Sequence, residues 1–254
     1  MVTTVTQIRL SPSRVSEFNN CPQLYKYRVI ELLPEPPSID AERGTLIHTI
    51  LEDLFDLPAP ERTLDSATTM APSRWADQVN QNPELSTLVL NEKEWLDRVG
   101  ALLKNYFILE KPESFEATHR EMHLEQNLTT EIYLHGYVDR IDVAPTGEVR
   151  IVDYKSGKSP KPGWKEKALF QLRVYALLYW RLHGVIPSLL VLHYLGDARS
   201  VRSSPNEKEL LSTERKLLQI ADEIIEAIAK DHFPPKPSKL CDWCFFKTIC
   251  PAHN

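Results

Sequence analysis

The sequence has no run of about 18 apolar residues, the length a membrane-spanning helix needs. Its first ten residues, MVTTVTQIRL, contain no basic segment followed by an apolar one. The expectation is a soluble, cytoplasmic chain that works away from membranes. A basic excess is also missing: 30 Lys and Arg against 35 Asp and Glu give a net charge of −5. That argues against a protein that coats nucleic acid nonspecifically, though not against a local basic track. No G-x-x-x-x-G-K-[S/T] loop is present, so ATP-driven unwinding would need another chain, such as a helicase partner. There are no internal repeats and no low-complexity segment. Cysteine is scarce, with four residues, and in a reducing compartment clustered cysteines more often ligate metal than form disulfides.

The 254 residues, 42% of them hydrophobic, suffice for a sizeable core. The chain reads as a single α/β domain over 1–254, a monomer, with an insertion at about 56–110 and a cysteine-bearing tail at about 232–254. Ser11-Pro12 is an N-cap followed by proline at the first helical position, which predicts a helix over 12 to about 31. Further helices are expected at about 41–55, 92–109, 165–184 and 207–230. Residues 56–88, rich in Pro, Ser, Thr and Asn, read as irregular with one short helix. Between residues 121 and 156 the period changes to alternation, broken by Ala144-Pro145-Thr146-Gly147, which predicts a β-meander. LLVLHYL (189–195) is a further strand. The result is a mixed central sheet flanked by helices.

The most informative segment is Asp153-Tyr154-Lys155, at the end of an apolar strand. Residues i and i+2 of a strand share a face, so Asp153 and Lys155 project together. Counting back through the turn, Asp139 of GYVDRID comes out nearly opposite Asp153, with Cβ atoms roughly 4.5–5.5 Å apart. Two carboxylates that close repel unless a cation lies between them. Mg²⁺ accepts such oxygen ligands and can polarise a phosphoryl oxygen, while Lys155 can steady an attacking water or the charge building on phosphorus. Glu121, at the start of the first strand, reads equally as a further acidic contributor or a surface charge and is not counted in the set.

GYVDRID followed by VDYKSGK resembles the PD-(D/E)XK nuclease superfamily in its RecB-like branch. The resemblance implies a restriction-endonuclease-like core with Asp139, Asp153 and Lys155 as catalytic residues. It adds Gln171 and Tyr175, four residues apart on the following helix, and a metal-binding His48 in Gly44-Thr45-Leu46-Ile47-His48. The implied metal set is His48, Asp139 and Asp153, holding Mg²⁺ or Mn²⁺. Gly44, one turn before His48, is expected to leave space beside the imidazole.

Cys241-x2-Cys244-x5-Cys250-Pro251 is a compact thiol cluster, and Cys21-Pro22 lies 220 residues upstream of it. Four thiolates suit an iron–sulfur cluster or tetrahedral zinc, although zinc modules usually pair two short knuckles and only one is present. A lone N-terminal cysteine joined to a terminal triplet, with SPSRVSEFNNCP around it, is similar to the iron–sulfur subgroup of RecB-like nucleases, which includes AddB helicase–nuclease subunits and CRISPR-associated adaptation nucleases. That similarity implies a [4Fe–4S] cluster on Cys21, Cys241, Cys244 and Cys250, tying the chain's ends together.

Between Lys155 and Arg173 the basic residues Lys158, Lys161, Lys165 and Lys167 meet one acid, Glu166, with Trp164 among them. Lys158, Lys161, Trp164, Lys165 and Arg173 form the candidate DNA track. The functional expectation is a metal-dependent DNA exonuclease preferring single-stranded ends, in repair, recombination or defence. The alternatives are a nucleic-acid-binding or helicase-accessory module of the same fold and a zinc-stabilised endonuclease.

Overall fold

The structure is a computed structural model and describes residues 7–161, 163 and 165–253. Strand β1 (Ile8–Leu10) leads into α1 (Pro12–Asn20), α2 (Pro22–Tyr25) and a π-helical turn at Lys26–Ile30. The continuous helix expected over 12–31 is broken at Cys21, whose backbone is extended with φ −163°. Pro22 is the reason: it disfavours the helical conformation in the residue before it. Cys21 is thus presented from a gap between two helices.

Helices α3 (Ile39–Leu54), α4 (Leu64–Gln81), α5 (Leu85–Leu88) and α6 (Glu92–Leu109) follow. Here residues 56–88 differ from the expected irregular segment, because α4 is a regular helix of 18 residues. Thr63 caps it by accepting from Ser66 N at 3.1 Å, and Ala67, Ala71 and Trp75 bury one face at helical spacing. Pro72 is tolerated within it on the exposed side.

Strands β2 (His119–Asn127), β3 (Ile132–Val143) and β4 (Val149–Lys155) form the expected meander. Then come α7 (Lys165–His183), β5 (Leu189–Tyr194), β6 (Arg199–Ser203) and α8 (Glu207–Ala229), and the tail ends in two 3-10 turns. The described strands make one six-stranded mixed sheet in the order β1-β3-β4-β5-β6, with β2 also on β3. The short edge strands β1 and β6 are additions to the expected set. One face of the sheet packs on α1, α7 and α8 through residues such as Leu134, Ile151, Leu172 and Ile224. The other packs on α3, α4 and α6 through Val152, Tyr154, Ile47 and Trp95.

The sheet topology creates the site. β2 runs along one edge of β3 from His119 to Asn127. β1 and β4 must therefore share the opposite edge, where β1 takes Ile132–Leu134 and β4 takes Arg140–Val143. Between those stretches β3 has a notch, and Asp139 stands at its end. Alternation also slips once here: Val138 and Ile141 face the same core, although they are three positions apart. At the facing position of β2, Glu121 adopts φ 44°, a left-handed conformation costly for a non-glycine residue and common at functional sites.

Just below the notch, the fully buried Arg140 fixes the two strands. Its guanidinium lies 2.6 Å from Glu110 and 3.0 Å from Asp142, and also donates to the hydroxyl of Tyr154. Glu110 follows the end of α6, so this pairing ties the helical insertion to the sheet beneath the site.

Candidate active site

The β3–β4 ladder stops at Arg140–Val152, so Asp139 and Asp153 are the first facing pair beyond it. Tyr154 keeps its pairing with β5 but has no β3 rung, which frees its backbone to orient two side chains. Its N–H donates to Asp139 Oδ2 at 2.7 Å, and its carbonyl accepts from His48 Nε2 at 3.0 Å. With Nε2 as donor, His48 turns Nδ1 toward Asp139 Oδ2 at 3.5 Å and Glu121 Oε1 at 3.8 Å. A histidine whose second nitrogen is fixed by a carbonyl is oriented for metal binding.

His48, Glu121 and Asp139 bring their ligand atoms within 4.8 Å of one another. The composition of this group differs from the expected His48, Asp139 and Asp153, since Glu121 takes part. The signal for it was available: counting outward from the Leu128–Ile132 turn, where Leu128 N–H donates to Ile132 O, puts Glu121 opposite Asp139. His48 and Glu121 also border a cavity of about 400 Å³ with Gly44 and Glu52. A Cβ at Gly44 would lie 3.7 Å from Ser156 Oγ, an ordinary contact, and Gly44 lines the same cavity as His48.

Asp153 is buried on the α7 side of the notch. Lys155 Nζ lies 2.7 Å from its Oδ2 and Gln171 Nε2 donates to its Oδ1 at 2.8 Å. Gln171 also accepts from Lys155 Nζ at 3.0 Å and donates to the Tyr175 hydroxyl at 2.8 Å. Four of the five expected catalytic residues, Asp153, Lys155, Gln171 and Tyr175, are therefore joined with Gln171 as their hub, and Asp139 faces Asp153 without touching them. Gly136 makes room for it, because a Cβ there would stand 2.6 Å from the Tyr175 ring.

The electrostatics fit a cation site. Burial, and then the neighbouring Asp153, push the Asp139 carboxyl up to about 7. Burial opposes charge on His48, but its interaction with Glu121 and the charges of Asp139 and Asp153 outweigh that and raise it to about 9. Clustered negative charge of this kind favours bound protons, and a divalent cation would take over their role.

The family model for the PD-(D/E)XK nuclease superfamily matches residues 9–251. The chain belongs to that superfamily. The Gene 69 proteins of Mycobacterium phages D29 and L5 are 26% and 22% identical to it, covering 98% and 95% of this chain and 99% and 96% of theirs. Among solved structures, a protein from Eubacterium rectale described as a candidate exonuclease shares the fold with a TM-score of 0.58 at 12% identity, covering 94% of this chain and 87% of that one. PD-(D/E)XK nucleases use divalent metals, and the imidazole and two carboxylates gathered here offer the donor types such ions accept.

Two other parts of this nuclease-superfamily chain bear on the sequence expectations. The four cysteines lie within electrostatic reach of one another, but no three of their sulfurs come within 4.8 Å of each other among the described residues. Burial raises the Cys244 thiol, the Phe246 backbone N–H works against that, and Cys21, Cys241 and Cys250 add to the rise. Backbone N–H groups of Lys236 and Ser238 point at the sulfurs of Cys21 and Cys241, each at 3.4 Å.

The expected DNA track is only partly placed beside the site. A cavity of about 1730 Å³ next to it is bordered by Lys155, Lys167, Arg173, Lys216, Lys236 and Lys239. Arg173 thus belongs to it, paired with Glu166 at 2.8 Å, whereas Lys158, Lys161 and Lys165 are exposed outside its lining. Trp164 lies outside the described residues. No helix among the described residues is long and apolar enough to cross a membrane.

Proposed function

We propose that this protein is a Mg²⁺- or Mn²⁺-dependent deoxyribonuclease that removes nucleotides from DNA ends, with single-stranded ends preferred, in repair, recombination or defence. The carrying observation is the contact of Lys155 with Asp153 through a shared Gln171, across a notch from His48, Glu121 and Asp139. A divalent cation held by His48, Glu121 and Asp139, with Asp153 beside it, would supply Lewis-acid polarisation of a phosphoryl oxygen. Lys155 brings a localised positive charge to the same place. The neighbouring carboxylates hold its ammonium protonated against the effect of burial, so it serves to orient the attacking water and meet the negative charge that develops on phosphorus. Gln171 fixes both partners of that pair, and Tyr175 fixes Gln171. The structural similarity to the E. rectale protein agrees with an end-directed reaction.

The proposed role of the four cysteines is structural, as ligands of a [4Fe–4S] cluster joining α1 to the tail. Such a link closes nearly the whole chain into one loop and restricts the unfolded state.

The test compares end-labelled linear DNA with closed circular DNA, with and without Mn²⁺. Release of mononucleotides from linear DNA, lost in EDTA and in Lys155→Ala, is expected. Cleavage of the circle would replace the exonuclease by an endonuclease, and binding without cleavage would favour an accessory module. Iron and acid-labile sulfide in protein made without oxygen are expected, whereas one equivalent of zinc without iron would overturn the cluster.

A further inference from the structure

The sheet face beyond Glu121 and Asp139 carries a row of rings. The next rung on the same face is His123 opposite Tyr137, followed by Glu125 opposite His135 and Asn127 opposite Tyr133. His123 stacks on Tyr137 with centroids 4.6 Å apart and an interplanar angle of 26°. His135 lies 5.8 Å from His123 and 5.7 Å from Tyr133, and Arg9 of β1 covers the Tyr133 ring at 4.6 Å. The alternate residues of β3, Leu134 and Val138, face the core on the other side, while α3, α4 and α6 cover the ring-bearing face over β4 and β5. The rings stand where that cover is absent, and Tyr137 is 56% exposed. The one acidic group in the row, Glu125, is engaged by the Tyr133 hydroxyl and lies 3.5 Å from His123.

We propose that this row is a stacking platform for the bases of a single DNA strand led to the metal end of the notch. The inference rests on the nuclease reading above and deepens it by assigning the strand preference to named residues. Three observations carry it. Tyr137 is two residues from Asp139 and borders the same large cavity as Lys155 and Gln171, so the platform is continuous with the reacting groups. Aromatic faces bind any base and tolerate sequence. The rings of the successive same-face residues Tyr133 and His135 stand 5.7 Å apart, well beyond the roughly 3.4 Å step between stacked bases along a B-DNA strand. Rings at that interval fit the splayed bases of an extended strand and not the closed stack of a duplex. Arg9, at the far end, adds a cation where the strand's phosphates would pass.

The experiment measures binding of a fluorescent oligothymidylate and of an abasic oligonucleotide of the same length, in EDTA so that nothing is cleaved. Tyr137→Leu should weaken oligothymidylate binding by roughly 5-fold to 100-fold, the range reached when one stacking ring is lost, and leave abasic binding within about twofold. Tyr137→Trp should restore base-dependent binding, which separates stacking from a loss of fold. Equal affinity of Tyr137→Leu and the unaltered protein for oligothymidylate, in a chain that still degrades DNA with Mn²⁺, would overturn the platform and leave the nuclease reading standing. An equal loss for both oligonucleotides would also overturn it. An unaltered chain that binds neither oligonucleotide and cleaves no DNA would remove both.

Discussion

Gly136 lies directly beneath the ring of Tyr175, so close that a Cβ on the glycine would be 2.6 Å from Tyr175 Cε1. β3 and α7 approach each other here more closely than any side chain allows, and through this contact Tyr175 holds Gln171 against Asp153 and Lys155. Gly136→Ala should displace the ring. Overpacking of this kind costs about 1–3 kcal/mol, readable as a lower urea midpoint. Nuclease activity should fall further than that loss of stability accounts for, because the hub is misplaced. A variant with unchanged melting and unchanged cleavage rate would show that the ring has room to move.

Glu121 should matter as much as Asp139 for holding a cation. Glu121→Gln removes a carboxylate from the group around His48. It should weaken Mn²⁺ binding, measured by calorimetry, by at least the roughly 10–100-fold lost when an outer partner of a metal ligand is changed. Affinity within twofold of the unaltered protein would return Glu121 to a surface role.

Metal binding should depend on pH with a definite sign. In the metal-free protein Asp139 is pushed up to about 7 and His48 to about 9, and both must lose protons to serve as ligands. Mn²⁺ affinity should therefore fall as pH is lowered from 8 to 6. Binding near pH 7 should release protons, detected as a heat that changes with the buffer's ionisation enthalpy. Affinity that is flat over this range, with no proton release, would contradict the arrangement.

The buried pairing around Arg140 predicts acid sensitivity. Burial works against the charge of Glu110, but His193, Arg140 and Arg150 outweigh it and lower its carboxyl to about 2, against an ordinary value of 4.5. A depressed carboxyl stabilises the folded chain fully above its unfolded value and ceases to do so as pH falls through the folded one. The contribution is thus present above about pH 4.5 and lost towards pH 2. Denaturant midpoints at pH 7, 4 and 3 should fall steeply in the unaltered protein. Glu110→Gln should be about 3–5 kcal/mol less stable at pH 7, as when one partner of a buried pair is removed, with a shallower acid slope.

The cysteine staple predicts that both chain ends loosen together. Cys21 stands between α1 and α2 and accepts from the Lys236 N–H, while Lys236 Nζ donates to Asn19 O. Cys21→Ala should increase proteolytic cleavage near the N-terminal helices and in the tail at the same time, seen by limited digestion and mass spectrometry. Cleavage confined to one end would separate the N-terminal cysteine from the C-terminal three.

Much of this was legible in the sequence, because periodicity and turn residues act locally. Alternation and the Pro-Thr-Gly turn determined β3 and β4, and counting through that turn put Asp139 opposite Asp153. Helical spacing alone put Gln171 and Tyr175 on one face. Side-chain length along one strand brought Lys155 to Asp153. Other features were decided by tertiary structure. α4 is held as a helix through Ala67, Ala71 and Trp75, which bury against α3 and α6, whereas the break that presents Cys21 is a local effect of Pro22. The metal group depends on non-local edges: β1 and β4 share one side of β3 and leave a notch between them, and the freed backbone of Tyr154 orients Asp139 and His48 across it. Glu121 joins them through a left-handed backbone that no local preference favours. Local sequence sets which face a side chain takes, but which edges remain unpaired, and therefore where backbone donors and carboxylates meet, is fixed only when distant strands assemble.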